Sequence, residues 1–78
     1  MKLSFFGRLR DAVGAAELER TVPPHVTDSE EIRRWIGADY PALLDPSVRI
    51  AIDDVLAACS VPIEGASEVA FLPPVSGG

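Results

Sequence analysis

Leu3 and Phe5 alternate with Lys2 and Ser4 at the start of the chain, which is the period of a half-buried strand, and Phe6 then falls on the Lys2/Ser4 face. Gly7 follows, and residues 8–13 have the composition of a short helical turn closed by Gly14. Leu18, Arg20 and Val22 alternate with Glu17, Glu19 and Thr21 as a second strand, which Pro23 and Pro24 stop because proline cannot donate to a ladder. Thr27-Asp28-Ser29-Glu30 is a capping-box pattern that starts the main helix. Asp28, Glu30 and Glu31 place negative charge at its N-terminus, where the macrodipole favours it. Ile32, Trp35 and Ile36 form its apolar face, and Gly37 is placed to end it as a C′ residue.

Pro41 suits the first position of a second short helical segment running through Leu43 and Leu44, with Pro46 ending it. Val48, Ile50 and Ile52 alternate with Arg49 and Ala51 as a third strand. Asp53-Asp54 reads as a turn, residues 55–57 as a short returning strand, and residues 62–67 as a loop. Residues 68–72 form the last strand. The order predicts an α+β fold: a small mixed sheet wrapped on one main helix, with the first two strands as a hairpin. Trp35, the largest apolar side chain on the helix, is expected to contribute most to the core, and Trp35→Ala to unfold the domain.

Composition bounds the chemistry. With 78 residues the chain is one domain, and folding buries only roughly 60% of the unfolded surface. A core that small leaves little room for a private active site. The single cysteine excludes an internal disulfide. One histidine and one cysteine do not make a zinc site, so no metal is expected. His25 is read as an exposed loop residue and Cys59 as a small packing residue. Lys2 is the one lysine, so the chain has no phosphate-cradling P-loop. The net charge of −5 argues against nucleic acid and against an anionic membrane surface. No apolar run approaches the ~20 residues of a membrane span, and the opening residues read as a strand rather than a secretory leader, so a cytoplasmic protein is expected.

The C-terminal residues point to a reaction. After the strand come Pro73-Pro74-Val75-Ser76-Gly77-Gly78. Two prolines end ladder pairing and favour an extended course. Fully extended, residues 73–78 reach ~20 Å. Gly77 and Gly78 have no side chains and suit a narrow channel. Residues 1–72 are thus expected to be the folded domain and residues 73–78 an arm with a carboxylate at its tip. That carboxylate, with an ordinary pKa of ~3.5, is ionised at neutral pH and a poor electrophile. Activation by ATP as an acyl-adenylate makes it reactive, and a separate enzyme must supply the nucleotide site.

The segment from Glu68 to Gly78, Glu-Val-Ala-Phe-Leu-Pro-Pro-Val-Ser-Gly-Gly, resembles the C-terminal signature of the molybdopterin synthase small subunits, the MoaD-type sulfur carriers. Phe5-Phe6-Gly7-Arg8-Leu9-Arg10-Asp11 with Gly14 is similar to that family's N-terminal segment. The resemblance implies a ubiquitin-like β-grasp fold. It implies that an E1-like enzyme adenylates Gly78, that a sulfurtransferase or cysteine desulfurase system turns the adenylate into a thiocarboxylate, and that the carrier docks on the large synthase subunit in a heterotetramer. Sulfur then passes to cyclic pyranopterin monophosphate in molybdenum cofactor synthesis. No cofactor is expected on this chain itself. Gly78 is the implied acceptor and Gly77 the slender approach. Phe71, Leu72, Pro73, Pro74, Val75 and Ser76 form the spacer and partner contact, with a core-only role for Phe71 as the alternative, and Phe6, Arg8 and Arg10 are candidates for the partner surface.

Two turns depart from the family pattern: Asp53 replaces a usual Asn, and Glu64-Gly65-Ala66-Ser67-Glu68-Val69 is one residue longer than the common Asp-Gly-Asp-Glu-Val. Both bear on loop geometry and partner fit. Other readings of a Gly-Gly tail are a carrier for thiamine, cysteine or tungsten-cofactor synthesis, a ubiquitin-like modifier of lysines, and an interaction module whose tail is idle.

Overall fold

The computed structural model describes residues 1–74; Val75, Ser76, Gly77 and Gly78 lie outside the described residues. The elements are β1 (Lys2–Phe5), α1 (Leu9–Val13), β2 (Glu17–Glu19), α2 (Ser29–Gly37), a 3-10 turn (Pro41–Leu44), β3 (Arg49–Ile52), β4 (Val55–Leu56) and β5 (Glu68–Leu72). The five strands make one mixed sheet in the order β2-β1-β5-β3-β4. β1 and β2 form the expected antiparallel hairpin, with Leu3 opposite Leu18. β5 returns to the middle, parallel to β1 and antiparallel to β3. The first and last strands of the chain are therefore neighbours at the centre.

Helix α2 covers one face of the sheet through Ile32 and Ile36, both buried, as their spacing predicts. Leu3, Phe5, Ile50, Val69 and Phe71 meet it from the strands. The centre of the core is a stacked pair, Phe5 and Phe71, adjacent in the β1–β5 register with ring centroids 5.5 Å apart and planes 10° apart. Trp35 is only half-buried and packs at the margin. The expectation that it dominates the core is corrected: a side chain that large on a nine-residue helix overhangs the small sheet beneath it.

Other local expectations shift for physical reasons. The helix cap is Asp28, not Thr27: its carboxylate accepts from Glu31 N at 2.8 Å. Glu31 reaches back to Thr27, accepting from its N–H at 3.0 Å and its hydroxyl at 2.7 Å. The capping logic holds, one residue later. Gly37 does not stop the helix as a left-handed residue; Ala38 caps it in helical geometry. A Cβ at Gly37 would lie 2.4 Å from Leu44 Cδ2, so glycine lets the 3-10 turn fold back against α2. β2 ends at Glu19, short of the predicted residue 22: beyond the Lys2–Glu19 pair only Met1 is left to pair, exchanging hydrogen bonds with Arg20 at 3.1 Å each, and Thr21 and Val22 have no strand opposite them. Ile63, inside the predicted loop, is a buried core residue, pinned by Ile63 N donating to Thr27 O at 3.1 Å. Cys59 is exposed rather than packed.

Candidate functional site

The base of the C-terminal arm is built by β5. Paired on both edges, this strand has its ladder anchored by two neighbours. Phe71 is fully buried, so its role is to hold the end of the strand in the core. Leu72 is half-buried on the open face of the sheet, opposite Arg49. Pro73 and Pro74 are half-buried and carry no ladder strand, as their missing N–H groups require.

The segment after β1 runs beside this exit. Phe6 N donates to Phe71 O at 3.1 Å, extending the β1–β5 contact by one bond. Gly7 then turns with φ +56, and a Cβ there would lie 2.9 Å from Pro73 Cγ. Chain reversal at Gly7 and the start of the arm thus touch. Phe6 remains 42% exposed, a large apolar ring on the open face next to the exit.

The arginines divide. Arg10 Nε donates to Phe5 O at 3.3 Å, and its side chain flanks Phe6 around a shallow hollow that reaches Glu17 and Glu68. Arg8 lies on another side, in a hollow with Leu9, Pro41, Leu44 and Asp45. Asp45 has its carboxyl held below the ordinary value of 3.8, first by the Ser47 hydroxyl, which donates to it at 2.7 Å, and more weakly by the charges of Arg8 and Arg33. Phe6 stands at the exit of β5 through its bond to Phe71 and shares a hollow with Arg10 that reaches Glu17 and Glu68, whereas Arg8 does not join that hollow. Pro74 instead borders a polar cleft with Arg33, Ser47, Arg49 and Cys59. Arg49 was legible as an outward strand residue, but its place beside the arm depends on the β3–β5 register. Gly77, Gly78, Val75 and Ser76, the remaining predicted site residues, lie outside the described residues.

The far end of β5 is fixed by polar ties. Asp53 and Asp54 both have positive φ, 47° and 70°, the geometry of a tight two-residue hairpin turn. Asp53 Oδ1 accepts from Ser67 N at 3.0 Å and Glu68 N at 2.9 Å, and Asp53 N donates to Glu68 O at 3.0 Å. The two departures from the family pattern thus meet: the carboxylate at 53 closes onto the backbone of the longer loop. Among the described residues there is no group of three or more His, Cys, Asp or Glu arranged to hold a metal ion, and no helix is long and apolar enough to cross a membrane.

The sequence matches the ThiS family over residues 3–78. It is 38% identical over 82 residues to the molybdopterin synthase sulfur carrier subunits of Caenorhabditis briggsae and Caenorhabditis elegans, covering all of this chain and 96% of each relative. Among solved structures it is similar to SAMP1 from Haloferax volcanii, with a TM-score of 0.76 at 20% identity over 99% of this chain and 97% of that one. It is also similar to a putative molybdopterin converting factor subunit 1 from Pyrococcus furiosus, with a TM-score of 0.70 at 19% identity over 95% of both chains. These likenesses carry the fold, the expected ubiquitin-like β-grasp. The full-length relatives and the family match agree with the resemblance drawn from the Glu68–Gly78 signature, and the chain belongs to the ThiS family.

Proposed function

We propose that this chain is a sulfur carrier, the small subunit of a molybdopterin synthase, and that its own C-terminal carboxylate on Gly78 is the reacting group. The observation that carries this reading is the arm's base: a doubly paired central strand, locked by Phe71, leads directly to Pro73-Pro74 and the Gly-Gly terminus. The full-length similarity to sulfur carrier subunits favours the pterin pathway over the other Gly-Gly carriers and over protein modification.

In this reading an E1-like enzyme transfers AMP from ATP to the Gly78 carboxylate, with pyrophosphate leaving. A persulfide carried by a sulfurtransferase or cysteine desulfurase displaces AMP to give an acyl disulfide, and a thiol then cleaves its S–S bond, leaving the thiocarboxylate on Gly78 and a disulfide on the donor side. Sulfur suits delivery because the thiocarboxylate stays ionised at neutral pH and is a soft nucleophile. The carrier binds no nucleotide itself. Its partner, the large synthase subunit, takes the arm into its active site and supplies the pocket for the pterin. Phe6 and Arg10 beside the exit form the docking face, since exposed aromatics and arginines are the side chains enriched at interfaces. Arg8, in a hollow of its own, lies apart from that face.

Mass spectrometry tests the reading. Protein co-expressed with its activating enzyme should gain the mass of one oxygen exchanged for sulfur, confined to the C-terminal peptide. Removal of Gly77-Gly78 should abolish both that gain and pterin sulfuration. No gain in a host that makes molybdenum cofactor would overturn it.

A further inference from the structure

An acyl-adenylate is open to amines as well as to sulfur. The 78 residues contain one lysine, Lys2. It stands on β1, opposite Glu68 in the parallel β1–β5 register. The arm leaves β5 four residues further on, at Leu72, about 13 Å away at ~3.3 Å per residue. Residues 73–78 reach ~20 Å at full extension. Distance along the sheet therefore does not keep Lys2 from an activated Gly78 of the same chain, still less from that of a second copy.

What confines Lys2 is a pair of carboxylates. Its Nζ lies 3.0 Å from Glu17 Oε2 and 3.7 Å from Glu68 Oε2. Glu17 projects from β2 opposite Ser4, and Glu68 from the start of β5. The Ser4 hydroxyl donates to the same Glu68 oxygen, and Asp53 holds the Glu68 backbone N–H. Strand register and this local network therefore place both acceptors. The hydrogen bond to Glu17, then the charges of Glu17 and Glu68, raise the Lys2 pKa above its ordinary value of 10.5. An amine attacks only after losing a proton, so each pairing lowers the share of nucleophile.

We infer that Glu17 and Glu68 are positioning residues for Lys2 that bias acceptor specificity: they hold the chain's one lysine in ion pairs and cut its small share of free, reachable amine, so that the activated terminus passes to an external sulfur nucleophile in preference to forming a Lys2–Gly78 amide. The inference rests on the carrier reading above. In the side reaction it suppresses, the deprotonated Lys2 nitrogen attacks the carbonyl carbon of the Gly78 adenylate. A C–N bond forms, the carbonyl carbon–oxygen bond to AMP breaks with its electron pair going to AMP, and the amine proton passes to water.

The test uses the full chain as wild type, Glu17→Gln, Glu68→Gln, the double variant, and Glu17→Asp as the charge-conserving control. Limiting N-hydroxysuccinimidyl acetate serves as a small acyl donor, and acetylation of Lys2 is followed by fragment sequencing at equal folded fraction. The double variant should be acetylated about two- to fivefold faster than wild type, the range a pair of exposed ion pairs supports. Glu17→Asp should stay near wild type, and high salt should narrow the gap. With ATP and the E1-like enzyme but no sulfur donor, the double variant should accumulate an amide-linked product that Lys2→Arg removes. Equal Lys2 acetylation in all forms overturns the inference. A wild type that shows the acetylation difference yet never becomes adenylated overturns the carrier reading instead.

Discussion

At its start, β5 is held by polar ties: Asp53 accepts two backbone N–H groups, and Glu68 pairs with Ser4 and Lys2. At its end it is held by packing: Phe71 stacks on Phe5, and Pro73 lies against Gly7. The first arrangement sets register, because hydrogen bonds and ion pairs tolerate only one alignment. The second fixes where the chain leaves the sheet by apolar contact alone, while the charges nearby, Arg10 beside Phe6 and Arg49 opposite Leu72, stand on the open face. One strand is thus held by polar ties at one end and by packing at the other.

The largest expected effect breaks the packed end. Phe71→Ala removes a fully buried ring from the centre of a small core and should cost about 3–5 kcal/mol, enough to abolish a cooperative urea transition in a domain of this size. The polar end is weaker. Asp53→Ala strips two backbone donors of their acceptor and puts alanine at positive φ; a loss of about 1–3 kcal/mol by urea midpoint is expected. Asp53→Asn keeps an accepting oxygen and a residue tolerant of that backbone, so most of the stability should return. Equal losses from the two would show that the negative charge, not the hydrogen bonds, holds the turn.

Trp35→Ala tests the margin of the core against its centre. Since Trp35 is half-buried, its loss should cost about 1–2 kcal/mol and leave a folded domain, well short of Phe71→Ala in the same thermal melts. The smallest effect is in acid. Glu31 has its carboxyl pKa lowered from 4.5, chiefly by the Thr27 hydroxyl, and Asp45 from 3.8, chiefly by the Ser47 hydroxyl. A depressed folded-state pKa stabilises above the unfolded value and is lost as pH falls through the folded one. Melting temperature should therefore begin to drop near pH 4.5 and keep falling below 3.8, with a shallower limb in Glu31→Gln.

Much of the fold was legible because strands and helices announce themselves by local period. The alternation at Leu3/Phe5 and Ile50/Ile52 and the Ile32/Ile36 face found their predicted elements, while Val48 is buried just ahead of its strand. The Pro-Pro interruption after the last strand was legible for the same reason, since a missing N–H ends a ladder wherever it occurs. The failures have one physical origin. Ile63 sits among loop residues and shows no period, so only its burial against the Val26–Ile32 side of the core reveals it. Gly37 looked like a helix stop because its neighbour Leu44 was not yet in place. Cys59 looked packed because it stands among alanines, and composition says nothing of which way a segment faces.

Element order, the Pro-Pro break after the last strand, the single lysine and the acidic balance follow from the chain written out as residues, since each depends on nearest neighbours or on simple counting. The central place of β5, the choice of Phe5–Phe71 over Trp35 as the heart of the core, and the meeting of Lys2 with Glu17 and Glu68 do not. Those depend on which strands pair and in what register, and pairing is settled by burial summed over segments more than sixty residues apart, as Leu3 beside Val69 shows.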